Sequence, residues 1–365
     1  MVTRLRSLTH EQCSLVPEAG GLDVVEFEST DSEDLLAQLA SSCDFVFHLA
    51  GVNRPKDEAD FSRGNADLSI RLLSALQQTR RRVPALLSSS IQAVLDNPYG
   101  LSKLAAEEAF FRYAEETGSP VYVYRLPNAF GKWSRPNYNS AVATFCHNVA
   151  RGLPIKIDDP EKEITLAYID DIVEAFISAL QGAPQWDGRY CVVPVSTTIK
   201  LGVISDLLAS FYTSRHTLDV PGGQSEFAKK LYATYLSFLP QGALAYPLTV
   251  HADERGSFYE MMHLGGAGQI SFNVTKPGIT KGNHWHHTKN EKFHVISGNS
   301  CIRLRQIDSP EVIEYVVTGE NPVVVDIPPG YTHSLTNVGE RDLVTAIWAN
   351  EEFDPLHPDT YYEEV

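Results

Sequence analysis

The sequence predicts an α/β domain, built on a doubly wound parallel sheet, followed by a smaller all-β domain shaped as a sandwich or barrel. Three observations predict this. Apolar runs and helical patterns alternate through the front of the chain. The texture changes near Ala245–Tyr246–Pro247, after which short strand-like runs are cut by Gly and Pro. Eight of the twelve histidines lie after Pro247. Alternating strands and helices imply βαβ units and a parallel sheet with helices on both faces.

The front strands are expected at Asp44–Leu49, Ala85–Ser89, Val121–Leu126 and Tyr190–Val195. These runs are apolar almost throughout, as strands covered on both faces should be. Helical patterns lie between and after them, at Asn65–Gln78, Tyr99–Thr117, Asn139–Arg151, Ile172–Leu180, Leu201–Tyr212 and Ser225–Leu239. Behind Pro247 the short runs are Gln269–Asn273, Phe293–Ser297, Ser300–Gln306, Val312–Thr318, Pro322–Ile327 and Leu343–Ala349. Their spacing suits a small sandwich or barrel. The expected domains are residues 1–245 and 246–365.

Composition narrows the function. With 365 residues, 43% hydrophobic and 21% charged, the chain suits two soluble globular domains. No apolar run approaches the ~18 residues of a spanning helix. The start, MVTRLRSLTHEQ, has no apolar signal core, so a cytoplasmic protein is expected. Five scattered cysteines without a CxxC pair read as reduced core thiols. The net charge of −16 argues against a nucleic-acid or membrane-surface partner. After Pro247 stand 17 acidic and 8 basic residues, a net of −9, which leaves −7 for the longer front part.

The first constellation is Ser90, Tyr99 and Lys103. Ser88-Ser89-Ser90 closes a predicted strand, and ligands of open parallel sheets bind beyond the carboxyl ends of strands. Pro98 suits a helix start, so Tyr99 and Lys103 fall at i and i+4 on one helix face. An ammonium beside a phenol favours the phenolate, and a serine hydroxyl can hold a substrate carbonyl. Together they suit carbonyl reduction, with hydride from a nicotinamide and a proton from Tyr99. In a chain with 16 tyrosines, roughly half a YxxxK match is expected by chance, so the placement after a strand carries the argument.

On these residues the front part resembles the extended short-chain dehydrogenase/reductases, and the resemblance implies a Rossmann-like domain over about residues 20–245. Phe47-His48-Leu49-Ala50-Gly51 is similar to the strand and loop lining the cofactor. The resemblance therefore implies cofactor contacts at His48, Leu49, Ala50, Gly51 and Lys103. Asn65 matches a structural asparagine. Arg125-Leu126-Pro127-Asn128-Ala129-Phe130-Gly131 resembles the segment that meets nicotinamide and substrate, with Asn128 as the contact. Tyr168–Ile172 resembles a later helix entry.

The resemblance departs at one place. The family opens with a strand and a glycine-rich turn whose amides face the cofactor pyrophosphate, and no GxxGxxG occurs in this chain. Gly20-Gly21 leads into Asp23–Phe27, which matches the second strand, and Met1–Arg6 reads like the middle of the first helix. The expectation is a reductase domain short of its first strand and phosphate loop, through a misassigned start or a real loss of cofactor affinity.

The second constellation spans Gly278 to Gly298. On a strand His284 and His286 share a face by period two, and Glu291 can return to that face across a turn. His333, within Pro328–Asn337, can complete the set from a partner strand. Three imidazoles and a carboxylate suit Zn²⁺, Fe²⁺, Mn²⁺ or Ni²⁺. His287 falls on the opposite face and is left outside. These positions resemble the two cupin motifs, which implies a jelly-roll barrel and a divalent metal, with zinc favoured. The second motif lacks its leading glycine: Pro322 stands there. A divalent ion beside a ketone is a Lewis acid that favours loss of the α-proton. Lys281, Lys289, Lys292 and Tyr331 are candidates for the base, and a purely structural metal is the rival reading.

The pairing of the two halves is narrow. With His48–Pro55, Pro127–Asn139, Lys200–Leu201, Arg255–Phe258, Thr275–Phe293 and Phe353–Tyr361, nearly the whole chain resembles the CapF/WbjC-type enzymes of capsule and O-antigen synthesis. The resemblance implies C3 epimerisation of a UDP-linked 4-keto-6-deoxy-N-acetylhexosamine in the cupin domain. Reduction of the C4 ketone with NADPH would follow, giving UDP-2-acetamido-2,6-dideoxy-L-talose, on the route to N-acetyl-L-fucosamine. A homodimer is implied by analogy. Glu28–Thr30, with no arginine beside it, leans toward a ribose hydroxyl and against NADPH. The rival is an epimerase whose reductase domain is inactive for want of the cofactor loop.

Overall fold

Ala85–Ser90, Leu86 and Leu87 among them, is buried on both faces because helices cover both sides of its sheet. In this computed structural model all residues are described except 10, 14, 16–20, 29, 54, 56, 58, 222 and 224. The strand pairs in parallel with Val46–His48 on one side and with Val121–Leu126 on the other; Tyr190–Cys191 and Trp186–Asp187 complete the five-stranded sheet. Successive side chains alternate between faces. Ala85, Leu87 and Val123 therefore join Leu73, Leu76, Phe110 and Tyr113 in one core, while Leu86, Tyr122 and Tyr124 join Ile172, Ala175 and Phe176 in the other. This is the doubly wound layering of a Rossmann-like domain.

Helix boundaries have local causes. Asn97 caps the Pro98–Thr117 helix through its side-chain oxygen, which accepts the Gly100 N–H at 2.8 Å, and Pro98 occupies the first turn. Gly118 ends it in the left-handed conformation. The pattern expected from Asn65 onward divides into a π-helical turn, Ser62–Asp67, and the α-helix Leu68–Gln78.

Some expectations are corrected. Tyr190–Val195 forms strand only at Tyr190–Cys191, and residues 23–27 form none. Val46–His48 is the edge of its sheet among the described residues, and 23–27 makes no ladder with it. Val2–Arg6 is helical and packs, through Leu5, against Val173 and Ile177. A small mixed sheet, Asn128–Phe130, Glu163–Tyr168 and Thr197–Lys200, was not anticipated.

The chain divides into two compact units, Met1–Leu208 with Lys230–Leu239, and Ala209–Lys229 with Pro240–Val365. The second unit contains two antiparallel sheets. One runs Val324–Ile327, Glu291–Ser297, Leu343–Ala349, Gln269–Thr275, Gly256–His263 and His251–Asp253; the other runs Val312–Thr318, Asn299–Gln306, Tyr331–Asn337, Thr280–Trp285 and Tyr361–Tyr362. Gln269–Thr275 alternates strictly between buried and part-exposed residues, as a strand with one core face does. Phe293, Ile302, Leu304, Ile327, Leu335 and Leu343 fill the space between the sheets, giving the cupin fold. No helix among the described residues is long and apolar enough to cross a membrane.

Candidate functional sites

In the first unit the strand end and the helix start meet. Ser90 terminates the Ala85–Ser90 strand, and its hydroxyl caps a short 3-10 turn, Ile91–Val94, by accepting the Gln92 N–H at 3.2 Å. Gly100 lets the long helix close on that turn. A Cβ there would sit 2.3 Å from the Leu95 carbonyl oxygen and 2.6 Å from that of Gln92. The closure brings Tyr99 toward Ser90. Burial raises the Tyr99 phenol above its ordinary pKa, and the Ser90 hydroxyl only partly offsets this.

Lys103 is buried, and its Nζ donates to the Ser88 carbonyl at 3.4 Å, 6.0 Å from the centre of the Tyr99 ring. Burial lowers the Lys103 pKa, against an opposing pull from Glu107. The lysine thus stands beside the tyrosine as the spacing implies, yet the net direction for the phenol is upward because desolvation dominates.

The loop for which cofactor contacts were expected is organised by Asn65. Its side chain accepts the Val52 N–H at 2.9 Å, donates to the Val52 carbonyl at 3.2 Å and donates to Ser102 Oγ at 2.9 Å. It sits in the π-helical turn, a local irregularity common at functional sites. Leu49, Ala50 and Gly51 are exposed beside it. The His48 ring turns inward, bonded to Ser69 Oγ at 2.9 Å and stacked on Phe110, with its pKa pushed down to about 4 by burial and by Lys103. The side chain of His48 is therefore turned away from the loop, where the resemblance implied a cofactor contact. Asn128 lies exposed on the small sheet, donating to the Thr165 carbonyl at 3.4 Å. Gly20, Ser29 and Arg54, which belong to segments singled out in the sequence, lie outside the described residues.

Sequence reasoning missed the charge beneath this site. Glu107, four residues after Lys103, is fully buried and takes a two-pronged ion pair from Arg125, with contacts of 2.6–3.1 Å. Ser89 Oγ and the Tyr190 hydroxyl also donate to it. The available signal was the i, i+4 spacing of Lys103 and Glu107.

In the second unit the four metal-type residues converge. The ligand atoms of His284, His286, Glu291 and His333 all lie within 4.8 Å of one another. Thr280–Trp285 pairs with Tyr331–Asn337 so that His284 stands opposite His333. A bulge between Gly282 and His284 sets this register. Gly282 has φ +101°, and a Cβ there would lie 2.6 Å from the His333 carbonyl oxygen. Glu291 Oε2 is 3.4 Å from His286 Nε2 and 3.2 Å from His333 Nε2. All three atoms are buried without a hydrogen-bond partner. Orphaned polar atoms pointing at one place are costly unless something binds them, so this set fits a divalent ion.

The electrostatics agree with mutual dependence. Burial pushes the Glu291 carboxyl up, but the imidazoles of His286 and His333 outweigh it and hold the group well below the carboxylate range. Burial, then the neighbouring His333 and His286, lowers His284 to about 4. Burial lowers His286, yet Glu291 and the Asp359 carbonyl together hold it above its ordinary value. His287 is exposed, packed edge-on to Trp285 and Tyr361, outside the cluster.

A cavity of about 380 Å³ opens on His284, Glu291 and His333. Of the four base candidates, Lys281 lines it, with Nζ donating to Asn273 Oδ1 at 2.7 Å. Lys289 turns to the Pro358 carbonyl, Lys292 pairs with Asp326, and Tyr331 packs against the core. His251 and Arg255, not singled out as site residues in the sequence, also line the cavity.

Comparison with known proteins matches residues 1–190 to the NAD dependent epimerase/dehydratase family and residues 251–361 to the polysaccharide biosynthesis C-terminal domain. A Pseudomonas aeruginosa protein, UDP-2-acetamido-2,6-beta-L-arabino-hexul-4-ose reductase, is 46% identical over 96% of this chain and 94% of its own. The crystal structure of the capsular polysaccharide assembling protein CapF from Staphylococcus aureus superposes with a TM-score of 0.90 at 48% identity, over 95% of this chain and 94% of that one. A CapF structure with the inhibitor 3-isopropenyl-tropolone gives a TM-score of 0.83 at 43% identity, over 96% and 95% of the two chains. The chain belongs to the NAD dependent epimerase/dehydratase family, in the CapF/WbjC-type branch that carries a cupin domain behind the Rossmann-like one.

Proposed function

We propose that the chain acts on a UDP-linked 4-keto-6-deoxy-N-acetylhexosamine in two steps: C3 epimerisation in the cupin domain, then reduction of the C4 ketone with NADPH. The product would be UDP-2-acetamido-2,6-dideoxy-L-talose. The functional modules are residues 1–245 and 246–365. The observation that carries this reading is the convergence of His286 Nε2, Glu291 Oε2 and His333 Nε2, buried and unpartnered, beside a cavity large enough for a sugar ring. The 46% identical relative, named for a hexulose-4-ose reductase, supports the substrate class. Tropolone, the core of the inhibitor carried by a related CapF structure, is an oxygen chelator of divalent cations, which supports a metal in proteins of this kind.

His284, His286, Glu291 and His333 would hold a divalent ion, zinc by preference. Once bound, it supplies Lewis acidity toward the 4-ketone, which makes the C3 proton labile. Lys281, on the cavity wall, is assigned the proton transfer at C3. Arg255 is the cation available to an anionic part of the substrate, although Asp253 partly neutralises it.

In the reductase domain the nicotinamide supplies hydride to C4. Ser90 holds the ketone oxygen and Tyr99 gives it a proton. A phenol whose pKa is raised by burial stays protonated at neutral pH, as a proton donor must. Lys103, buried and bonded to the strand end, fixes the polarity of this corner.

Incubation with the 4-keto substrate in D₂O without nicotinamide tests the first step. Deuterium at C3, abolished by a chelator and restored by Zn²⁺, is expected; exchange that survives chelation overturns the metal's role. Adding NADPH tests the second, by its loss of absorbance at 340 nm. Exchange without NADPH consumption would leave the epimerase alone.

A further inference from the structure

The inner face of Gln269–Thr275 is polar where a core strand is usually apolar. Its buried positions are Gln269, Ser271, Asn273 and Thr275. Burying an amide is costly unless its polar atoms are bonded. Gln269 Oε1 accepts the Phe353 N–H at 3.0 Å. Asn273 differs, because it lines the cavity of the Glu291 cluster and its partner is the candidate base. Asn273 Oδ1 accepts from Lys281 Nζ at 2.7 Å, and the Val274 carbonyl accepts from the same nitrogen at 2.9 Å.

Those two bonds orient both partners. The lysine nitrogen is tetrahedral. With Cε and two bonded hydrogens in place, one direction remains, for the proton that passes between C3 and Nζ. Burial lowers the Lys281 pKa, with Asp253 opposing and Arg255 assisting. An ammonium can only donate, so Oδ1 of Asn273 must face it and Nδ2 takes the other branch of the amide. Nδ2 has no hydrogen-bond partner among the described residues and is not sealed from solvent, so it is open to the cavity. Phe258 stands directly opposite Asn273 on the neighbouring strand and also lines the cavity. Residues paired this way share a face, which sets an apolar ring beside the free amide donor.

We propose that Asn273 makes the epimerase cavity selective for a 2-acetamido sugar: Oδ1 holds Lys281 at C3, and Nδ2 donates to the carbonyl oxygen of the acetamido group on C2. This inference rests on the C3 epimerisation proposed above. Ring connectivity gives the placement. The C4 oxygen belongs at the metal cluster, Lys281 serves C3, and C2 is the other neighbour of C3. The group on C2 therefore lies beside the residue that holds Lys281. An acetamido group presents a carbonyl and a methyl, which match the Asn273 amide and the Phe258 ring; a hydroxyl on C2 is too short to use both. Arg255 is the other strong donor on this wall, but Asp253 already takes its Nε and one terminal nitrogen, at 3.0 and 2.7 Å.

The test reads a ratio. The full chain, loaded with Zn²⁺ and without nicotinamide, is incubated in D₂O with the 2-acetamido substrate or with its counterpart carrying a hydroxyl at C2. NMR gives kcat/KM for deuterium incorporation at C3 with each sugar. The wild type should favour the acetamido sugar by roughly tenfold or more, the worth of a hydrogen bond whose loss leaves a donor unpaired. Asn273→Asp, nearly the same shape, keeps an acceptor for Lys281 and loses the donor; Asn273→Ala loses both. Each should cut the ratio by about fivefold or more, and Asn273→Ala should also slow both sugars. A merely structural asparagine would slow both sugars equally and leave the ratio in place. A wild type without preference, a ratio unmoved in both variants, or loss of exchange with both sugars in both variants overturns the assignment to Asn273, while wild-type exchange still supports the epimerase. No exchange by the wild type with either sugar overturns both.

Discussion

His286 donates its Nδ1 hydrogen to the main-chain carbonyl of Asp359, 2.5 Å away. A carbonyl can only accept, so this bond settles the ring's tautomer and leaves Nε2, the atom facing Glu291, to act as a ligand. The Asp359 carboxylate reinforces the arrangement. It accepts the backbone N–H groups of His287, Thr288 and Lys289 and the Thr288 hydroxyl, at 2.9–3.0 Å. Burial opposes its ionisation, but those donors hold the carboxyl well below the usual carboxylate range.

Asp359→Ala should therefore weaken metal binding at the Glu291 cluster by about 10–100-fold. Competition with a coloured chelator reads the affinity. Asp359→Asn, which keeps an amide oxygen, should recover part of the loss. An affinity equal to wild type in both variants would show that the strap does not orient His286.

Tyr99→Phe should lower NADPH-dependent reduction by roughly 10²–10⁴-fold, the usual worth of a positioned proton donor. Deuterium incorporation at C3 should be untouched, because Tyr99 and the cupin cluster belong to separate units. Parallel loss of both activities would contradict the division of labour.

Glu107→Gln keeps the shape but leaves the part-exposed Arg125 guanidinium without its counter-charge. Losing charge-assisted hydrogen bonds to a buried carboxylate, with solvent still reaching the arginine, costs about 1–3 kcal/mol. Scanning calorimetry should show the reductase transition falling by about 5 °C. An unchanged transition would mean that solvent compensates Arg125.

Acid should weaken the first unit through His48. Its folded pKa is about 4 against an ordinary 6.5, so between these values the unfolded chain binds the extra proton. Stability is complete above pH 6.5, falls as pH drops toward 4 and is level below that. The full effect is on the order of 3 kcal/mol. Urea unfolding at several pH values should give a shallower slope for His48→Gln than for wild type. Identical slopes would locate the acid sensitivity elsewhere.

Much of this was legible in one dimension because the signals are local. Tyr99 and Lys103 share a helix face through the i, i+4 period, and His284 and His286 share a face through the period of two. The alternation of apolar runs with helical patterns indicated the doubly wound sheet, and the break at Pro247 indicated a second domain of different texture. Where local pattern misled, composition alone was not enough: Asp23–Phe27 has strand composition but forms no ladder with any described strand.

By itself, the sequence determined the class of both domains, the residues able to carry a metal or a proton, and the chemistry open to them. Only the tertiary structure decided which long-range neighbours set their properties. It brought Glu107 and Arg125 beneath Lys103, turned the His48 ring inward, put Lys281 but not Lys289, Lys292 or Tyr331 on the cavity wall, and delivered Asp359 from the C-terminal segment to His286. Side-chain periodicity is a property of adjacent residues. Burial, tautomer and ion pairing depend on which distant segments pack together, and no local pattern encodes that choice.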